Sequence, residues 1–281
     1  MLTLILKIMN VKTFRIMTKL KLIITALLFM QSSMTITARD KVLYRIYYAA
    51  FYKEKEEDDT LGKDVQCLDI GEYSSHYYSK LSSEYFVNLA YAKRTSKKHG
   101  VTYQIIKNEP KEGMLKYSEG SFLKFIYTDS IPKLKWQMLD GDSIINNYAC
   151  KKAMAELNGR TWTVWYTLDI PYSNGPWKLG GLPGLIMDAR DKKGDFSFTF
   201  CGMEKGDGST IKEIDYNHDG DKFVVTPQRL QELNILLYKN YGKYEEELFG
   251  KGYIKGLIIE EDCDERPCLM EILPDTKKRK K

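Results

Sequence analysis

The sequence predicts a β-rich α+β fold, in which one curved antiparallel sheet, shaped like a half-barrel, is covered by one or two helices. Three observations carry this expectation. Short segments rich in aromatic and branched residues recur between Gly, Pro and charged turns from Lys41 to Gln137, a spacing that favours antiparallel pairing over a doubly wound sheet. Phe196-Ser-Phe-Thr-Phe200 alternates strictly, so its three rings share one face and belong to the core. Thr161 to Leu168 is dense in Trp, Tyr, Val and Thr, which suit a pleated surface.

Taken in order, Lys41 to Tyr52 reads as a first strand that breaks into the acidic turn Glu54 to Asp59. Asp64 to Ile70 and Ser74 to Tyr78 read as a second strand and its continuation. Ser79 to Lys98, with Leu81, Tyr85, Leu89 and Ala92, has helical content. Val101 to Asn108, Met114 to Tyr117, Phe122 to Asp129 and Lys135 to Gln137 follow as short strands between turns. The Thr161 to Leu168 strand leads through a Pro171 to Pro176 loop and a constrained bend at Gly180 to Gly184. Leu185 to Arg190 then continues through a hairpin turn at Asp191-Lys-Lys-Gly194 into the phenylalanine strand. Pro227 to Gly242 has the best helical pattern in the chain. Thr226 is its N-cap, Pro227 its first residue, and Leu230, Leu233, Leu237 and Tyr241 form a stripe that packs on the sheet, with continuation toward Phe249.

At 281 residues and 43% hydrophobic the chain can bury a proper core. The formal charge of +5 is matched by the five basic residues Lys277 to Lys281 alone, so the remainder is near neutral. That argues against a nucleic-acid footprint, which would spread Lys and Arg over one face. Lys19 and Lys21 precede the apolar Leu22 to Met30 and then small and polar residues up to Ala38, the layout of a secretory signal peptide too short to span a bilayer. The organisation expected is a signal peptide over 1–38, with Met17 as an alternative start, one β-rich domain over 39–275, and a basic disordered tail over 276–281. The mature chain is then periplasmic, outer-membrane-associated or extracellular, without a transmembrane span.

Five cysteines, Cys67, Cys150, Cys201, Cys263 and Cys268, allow two disulfides in an oxidising compartment. Cys263 and Cys268 form the most local candidate pair, and unpaired thiols are the competing reading. Neither a Cys-x-x-Cys redox motif nor a zinc spacing is present. Among the three histidines, His76, His99 and His218, none stands in a setting that marks a catalytic base. Glu156 and Asp188 flank the most distinctive segment and are the carboxylates to inspect for glycosidase-like chemistry, against solvent-facing helix and strand positions. Asp215, Asn217 and Asp219 alternate before Gly220 as in half an EF-hand loop. Thr226 stands where the bidentate carboxylate belongs, and Asp219-Gly220 is also a common turn. No cofactor is expected.

The most distinctive segment holds Cys150-Lys-Lys-Ala153, Gly159-Arg160, Trp165-Tyr-Thr167, Ile170-Pro171, Gly175-Pro-Trp-Lys178 and Gly181-Leu182-Pro183-Gly184-Leu185-Ile186. These residues resemble the GLPGLI family of exported Bacteroidetes proteins, which is named for the last six. The resemblance implies an envelope or secreted protein of unassigned biochemical function and supplies no catalytic residues. Members often end in an Asn-Pro-Leu-Glu-Leu type segment, which Arg266-Pro-Cys-Leu-Met-Glu271 fits only in part. Trp162, Trp165, Tyr166, Trp177 and Leu182 are the candidate ligand-binding residues, since aromatic rings give large contact area with a polar handle. Strand alternation puts Trp162 and Trp165 on opposite faces, so one of them is core. The competing reading makes Gly181 to Ile186 an architectural joint. The functional expectation is a non-catalytic module that binds an envelope protein, a peptide, a sugar or an apolar ligand. A secreted hydrolase with paired carboxylates and a structural surface protein are the alternatives.

Overall fold

The computed structural model describes residues 40–87, 100–121, 123–216, 220–251 and 266–273. Twelve strands form one open, curved sheet: β1 Tyr44–Tyr52, β2 Gly62–Ile70, β3 Ser75–Ser79, β4 Gln104–Lys107, β5 Met114–Glu119, β6 Lys124–Ser130, β7 Gln137–Ile145, β8 Tyr148–Leu157, β9 Arg160–Thr167, β10 Leu185–Asp191, β11 Phe196–Lys205 and β12 Lys222–Val224. The order across the sheet is β12-β6-β5-β4-β3-β2-β1-β11-β10-β9-β8-β7. Three helices are α1 Lys80–Val87, α2 Pro227–Lys239 and α3 Tyr241–Phe249. Among the described residues no helix is long and apolar enough to cross a membrane. The expected signal peptide and basic tail, together with His99, His218 and Cys263, lie outside the described residues.

The expected β-rich sheet covered by helices is what forms, with specific corrections. The sheet is mixed, because β12 runs parallel to β6 while every other pairing is antiparallel. Asp64 to Ile70 and Ser74 to Tyr78 are two strands of a hairpin and not one strand continued; the chain reverses at Gly71, whose N–H donates to the Ser74 carbonyl. The strand expected at Lys135 to Gln137 begins only at Gln137, and residues 138–157, unassigned from sequence, complete the hairpin β7–β8. Its β8 half reads Tyr-Ala-Cys-Lys-Lys-Ala-Met-Ala-Glu-Leu, rich in helix-favouring types, yet Ala153, Ala155 and Leu157 alternate into the core. Glu156 therefore sits on a strand and not a helix. The helix after β3 is described only to Val87.

Alternation divides the sheet into an inner face, which α2 covers, and an outer face. Ile46, Tyr48, Leu68, Tyr77, Ile105, Leu115, Trp162, Val164, Ala189 and Phe198 line the inner face, all almost fully buried. Phe196, Phe198 and Phe200 join them as expected. Part of the outer face is covered by residues 206–216, which carry the chain from β11 toward β12. There Ile211 packs with Val42 and Ile106, and Tyr216 packs on Phe86 of α1 at 5.1 Å. Glu213 bridges Lys116 at 2.8 Å and Lys124 at 2.7 Å; burial alone would raise its carboxyl, but the two lysines hold it down at about 2. Thr226 caps α2 by accepting from the Arg229 N–H at 3.1 Å. Asn240 then ends α2 and starts α3, its extended backbone (φ −157°) breaking the run while its side chain accepts from the Lys243 N–H at 2.9 Å. That break leaves Tyr241 55% exposed instead of on the packed stripe.

Between β9 and β10 the chain doubles back on itself. Asn174 and Gly180 bridge, and Lys107 enters the turn from β4, donating to Asn174 Oδ1 at 2.7 Å, the Gly175 carbonyl at 3.1 Å and the Leu179 carbonyl at 2.7 Å. Burial draws its ammonium down to about 7. Asn174 also donates to Ser75 Oγ at 2.9 Å, and Tyr48 donates to the Ile186 carbonyl at 2.8 Å. The two glycines of Gly181–Gly184 do different work. Gly181 adopts φ +86°, which side chains disfavour, with room for a Cβ at ordinary contact, 3.8 Å from Trp136 Nε1; Gly184 has a Cβ position only 1.9 Å from the Thr167 carbonyl oxygen. The segment is an architectural joint that seats β10 against β9.

Two consequences can be measured. Gly184→Ala should cost roughly 3 kcal/mol or more, because strand backbone must move, whereas Gly181→Ala should cost about 1–2 kcal/mol of conformational strain. Equal urea midpoints for the two variants would contradict this account. His76, buried on the outer face, donates from Nε2 to Gln104 Oε1 at 3.0 Å, and that same oxygen accepts from the Ile214 N–H at 2.9 Å. Burial holds the ring at about 4, below its ordinary value of 6.5. The unfolded chain therefore takes up the proton that the folded chain refuses. Stability is lost as pH falls from 6.5 toward 4, by up to about 1.4 kcal/mol per unit from this residue. His76→Gln should flatten that slope in denaturant titrations across the window.

Candidate functional site

The site is a cavity of about 450 Å³ enclosed between the inner face, α2 and the segment 266–273. Its floor includes Tyr103, Tyr117 and Tyr127, three members of a ladder of tyrosines whose fourth, Tyr77, is buried outside the lining. Tyr77, Tyr103, Tyr117 and Tyr127 come from β3, the approach to β4, β5 and β6, and their rings stack in sequence at 6.5, 6.1 and 4.7 Å. Register explains the alignment, since Tyr77 pairs across to Ile105, Ile105 to Tyr117, and Tyr117 to Tyr127. Phe196, Phe198 and Tyr52 extend the aromatic floor on the other side.

Each ladder hydroxyl has a polar partner. Tyr77 donates to Gln66 Oε1 in a short contact, and Tyr103 reaches the same oxygen at 3.4 Å. Tyr117 donates to Glu119 Oε2 at 2.5 Å. Tyr127 accepts from Lys178 at 2.8 Å. Burial raises all four phenols far above their ordinary range, so they remain protonated at any physiological pH. Asp64, behind Gln66, is a buried carboxyl whose acidity burial weakens, against hydrogen bonds from Ser79, Gln66 and the Val101 N–H.

The roof is α2. Pro227, Leu230, Gln231, Asn234, Leu237 and Tyr238 recur at helical spacing along the cavity, and Asn234 donates to Glu119 Oε1 at 2.9 Å. Leu230 and Leu233 are buried, so the helix is anchored, yet it leaves the space beneath it open. The side wall is the strap 266–273. It is held by Cys268 N–H to the Glu54 carbonyl (2.8 Å), Ile272 N–H to the Asn158 carbonyl (2.7 Å), and reciprocal bonds between Leu273 backbone and Gln231. Arg160 fixes it further. The buried guanidinium donates to Asp191 at 2.6 Å, Asp195 at 2.8 Å and the Leu269 carbonyl at 2.7 Å, and lies over the Phe196 ring at 4.6 Å. Lys178 reaches from the β9–β10 loop into an ion pair with Glu271 of the strap, its ammonium 5.5 Å from the Tyr117 ring, 5.3 Å from Tyr127 and 5.6 Å from Trp177.

Of the candidate ligand-binding residues read from sequence, Trp177 alone lines this cavity. It does so at φ +53°, a strained conformation for a bulky residue, with its ring 5.7 Å from Trp162. Trp162 is fully buried behind it and stacked on Phe198 at 5.9 Å. Among the described residues its indole N–H finds no partner. Trp165 stands on the outer face beneath Lys152, 5.2 Å from the ring. Tyr166 is buried with its hydroxyl 3.6 Å from Met138 sulfur, and Leu182 is core.

The two carboxylates expected to be solvent-facing part company. Glu156 is exposed, whereas Asp188 is only 3% exposed and bound to Arg190 (2.9 Å) and Thr199 (2.8 Å). Neither lines the cavity. Asn217 and Asp219 lie outside the described residues, and Asp215 pairs with Lys124 at 3.7 Å. Among the described residues no His, Cys, Asp and Glu group is arranged to hold a metal. Of the candidate disulfide, Cys263 is outside the described residues and Cys268 is a free thiol 3.4 Å from Arg160, pushed up to about 11 by burial.

The ladder, Gln66, Glu119 and Lys178 were missed from sequence. Tyr103, Tyr117 and Tyr127 sit alone in three separate strands, and only cross-strand register assembles them. Lys178 had a visible signal in its place beside Trp177.

A family profile described as "Protein of unknown function (Porph_ging)" matches residues 69–188, from the end of β2 into β10 and including Gly181–Ile186. No curated protein matches the chain. Among solved structures it is similar to PNGF-II in a C2 crystal form, with 14% identity over 68% of this chain and a TM-score of 0.47, and in a P21 form, with 14% identity over 66% and a TM-score of 0.45. The matched part is 32% of each of those chains, so this chain spans about a third of their length. Over residues 69–188 the sequence is thus similar to an uncharacterised family, and the fold that carries it is β-rich.

Proposed function

We propose that this is an exported, non-catalytic protein of the cell envelope, of the GLPGLI type, that binds a small amphipathic ligand between its sheet and α2. The observation that carries this reading is the aromatic cavity itself. A helix evolved only to seal the core would fill the inner face, yet about 450 Å³ remains beneath α2, floored by tyrosine rings and edged by Gln66, Glu119, Gln231 and Asn234. Volume in this range, apolar walls and a few fixed polar groups are what small-molecule sites require. Strain at Trp177, on the wall, supports the same reading.

Filling the space tests it. Leu230→Trp projects an indole from the roof into the cavity. Native mass spectrometry of protein taken from its own envelope should find one bound molecule per chain in the wild type and none in Leu230→Trp, with the far-ultraviolet spectrum and melting temperature of the variant retained. An equal bound mass in a folded Leu230→Trp variant would remove the cavity from the account. Export rests on Lys19, Lys21 and Leu22–Met30. Fusion of residues 1–38 to a reporter should carry it out of the cytoplasm, and a reporter retained inside would refute that part.

A further inference from the structure

We propose that the ligand carries a cationic amine or ammonium group, and that Glu119 receives it; this deepens the cavity reading and rests on it. The first observation is the charge balance of the lining. Glu271 is neutralised by Lys178. Glu54 and Glu119 also line the cavity, with Lys53 as the single basic lining residue, and no cation among the described residues pairs with either glutamate. Glu119 is half-buried, and a carboxylate without a cationic partner on the wall of a cavity attracts a ligand of opposite sign.

The second observation is that Glu119 is held in place by neutral donors. Tyr117 donates to one oxygen at 2.5 Å and Asn234 to the other at 2.9 Å, so floor and roof together orient the carboxylate. Each oxygen keeps a further lone pair for an incoming N–H or a close ammonium charge. The third observation is that these rings already accommodate a cation. Lys178 lies within 6 Å of the centroids of Tyr117, Tyr127 and Trp177, which is the range of cation–π attraction, and Tyr117 is also the residue bonded to Glu119. The lining therefore offers a carboxylate and electron-rich rings to a positive group, with the apolar side chains of α2 and the strap left for the rest of the ligand.

Three probes of one shape separate charge from fit: benzyltrimethylammonium, benzyl alcohol and benzylsulfonate, titrated into the folded chain and followed by tryptophan fluorescence and calorimetry. The cation should bind at least tenfold more tightly than the other two. Glu119→Gln, which keeps the shape and one acceptor oxygen while turning the other terminal atom into a donor, should bring its affinity down to that of the alcohol with the melting temperature held. Weakening as ionic strength rises should accompany cation binding in the wild type alone. If all three probes bind alike and Leu230→Trp abolishes them, the cavity is a ligand site and the cation proposal fails. If none binds the wild type, both fail. Unchanged cation affinity in Glu119→Gln overturns the role of that residue.

Discussion

The molecule depends on one buried amine. Lys107 rises from a short central strand and places its ammonium inside the β9–β10 loop, 67 to 72 residues further along the chain, where three oxygens receive its three protons. Among the described residues no carboxylate bonds this amine, and desolvation is balanced by neutral acceptors. Because those acceptors are the carbonyls of Gly175 and Leu179 and the side chain of Asn174, the amine sets the path of the backbone on both sides of Trp177 and Lys178. It thereby over-determines a positive φ that Trp177 would not adopt by itself. The indole is thus aimed at Trp162 and the cavity, and the neighbouring ammonium at Glu271. Central sheet, loop and strap are linked through that turn.

A second tier of the same logic appears at Arg160. Its guanidinium joins the turn between β10 and β11, through Asp191 and Asp195, to the strap through Leu269. A planar group with five donors can satisfy partners in several directions at once, which a lysine could not do. Both cations stand on the inner face, where strand alternation would put apolar residues. They occupy the places where a segment without regular secondary structure has to be pinned to the sheet. The open sheet is therefore closed over, along part of its inner face, by irregular chain held through polar contacts.

Much of this was legible in the sequence where local pattern and tertiary environment agree. Phe196 to Phe200 alternates because one side is core, and Asp191 to Gly194 turns because Gly194 takes φ +78°. Thr226-Pro227 starts α2 for the ordinary reasons of capping and fixed φ. What was not legible arose from long-range pairing. Strand β8 has helix-forming composition and is made a strand by β7 and β9 on either side. Parallel β12 follows from a crossover over the outer face, and no local signal encodes where such a crossover lands. Asn240 reads as one more polar residue in a helical run, yet it serves as cap for both helices. The cavity was the least legible feature, because its tyrosines come from strands whose register is set by the whole sheet.

The division of labour between loop and cavity has a further meaning. Apart from Trp177, the cavity surface is drawn from strands and turns before the signature, from Phe196 and Phe198 of β11, from α2 and from the strap. The bonds that seat Gly180–Ile186 run instead to Tyr48, Trp136, Ile170 and Asn174. Side chains such as Tyr103, Glu119, Leu230 and Met270 can be exchanged without disturbing any of those bonds. Joint and pocket are thus mechanically separable in this architecture: the pocket can be reshaped side chain by side chain while the bonds that hold the joint stay intact.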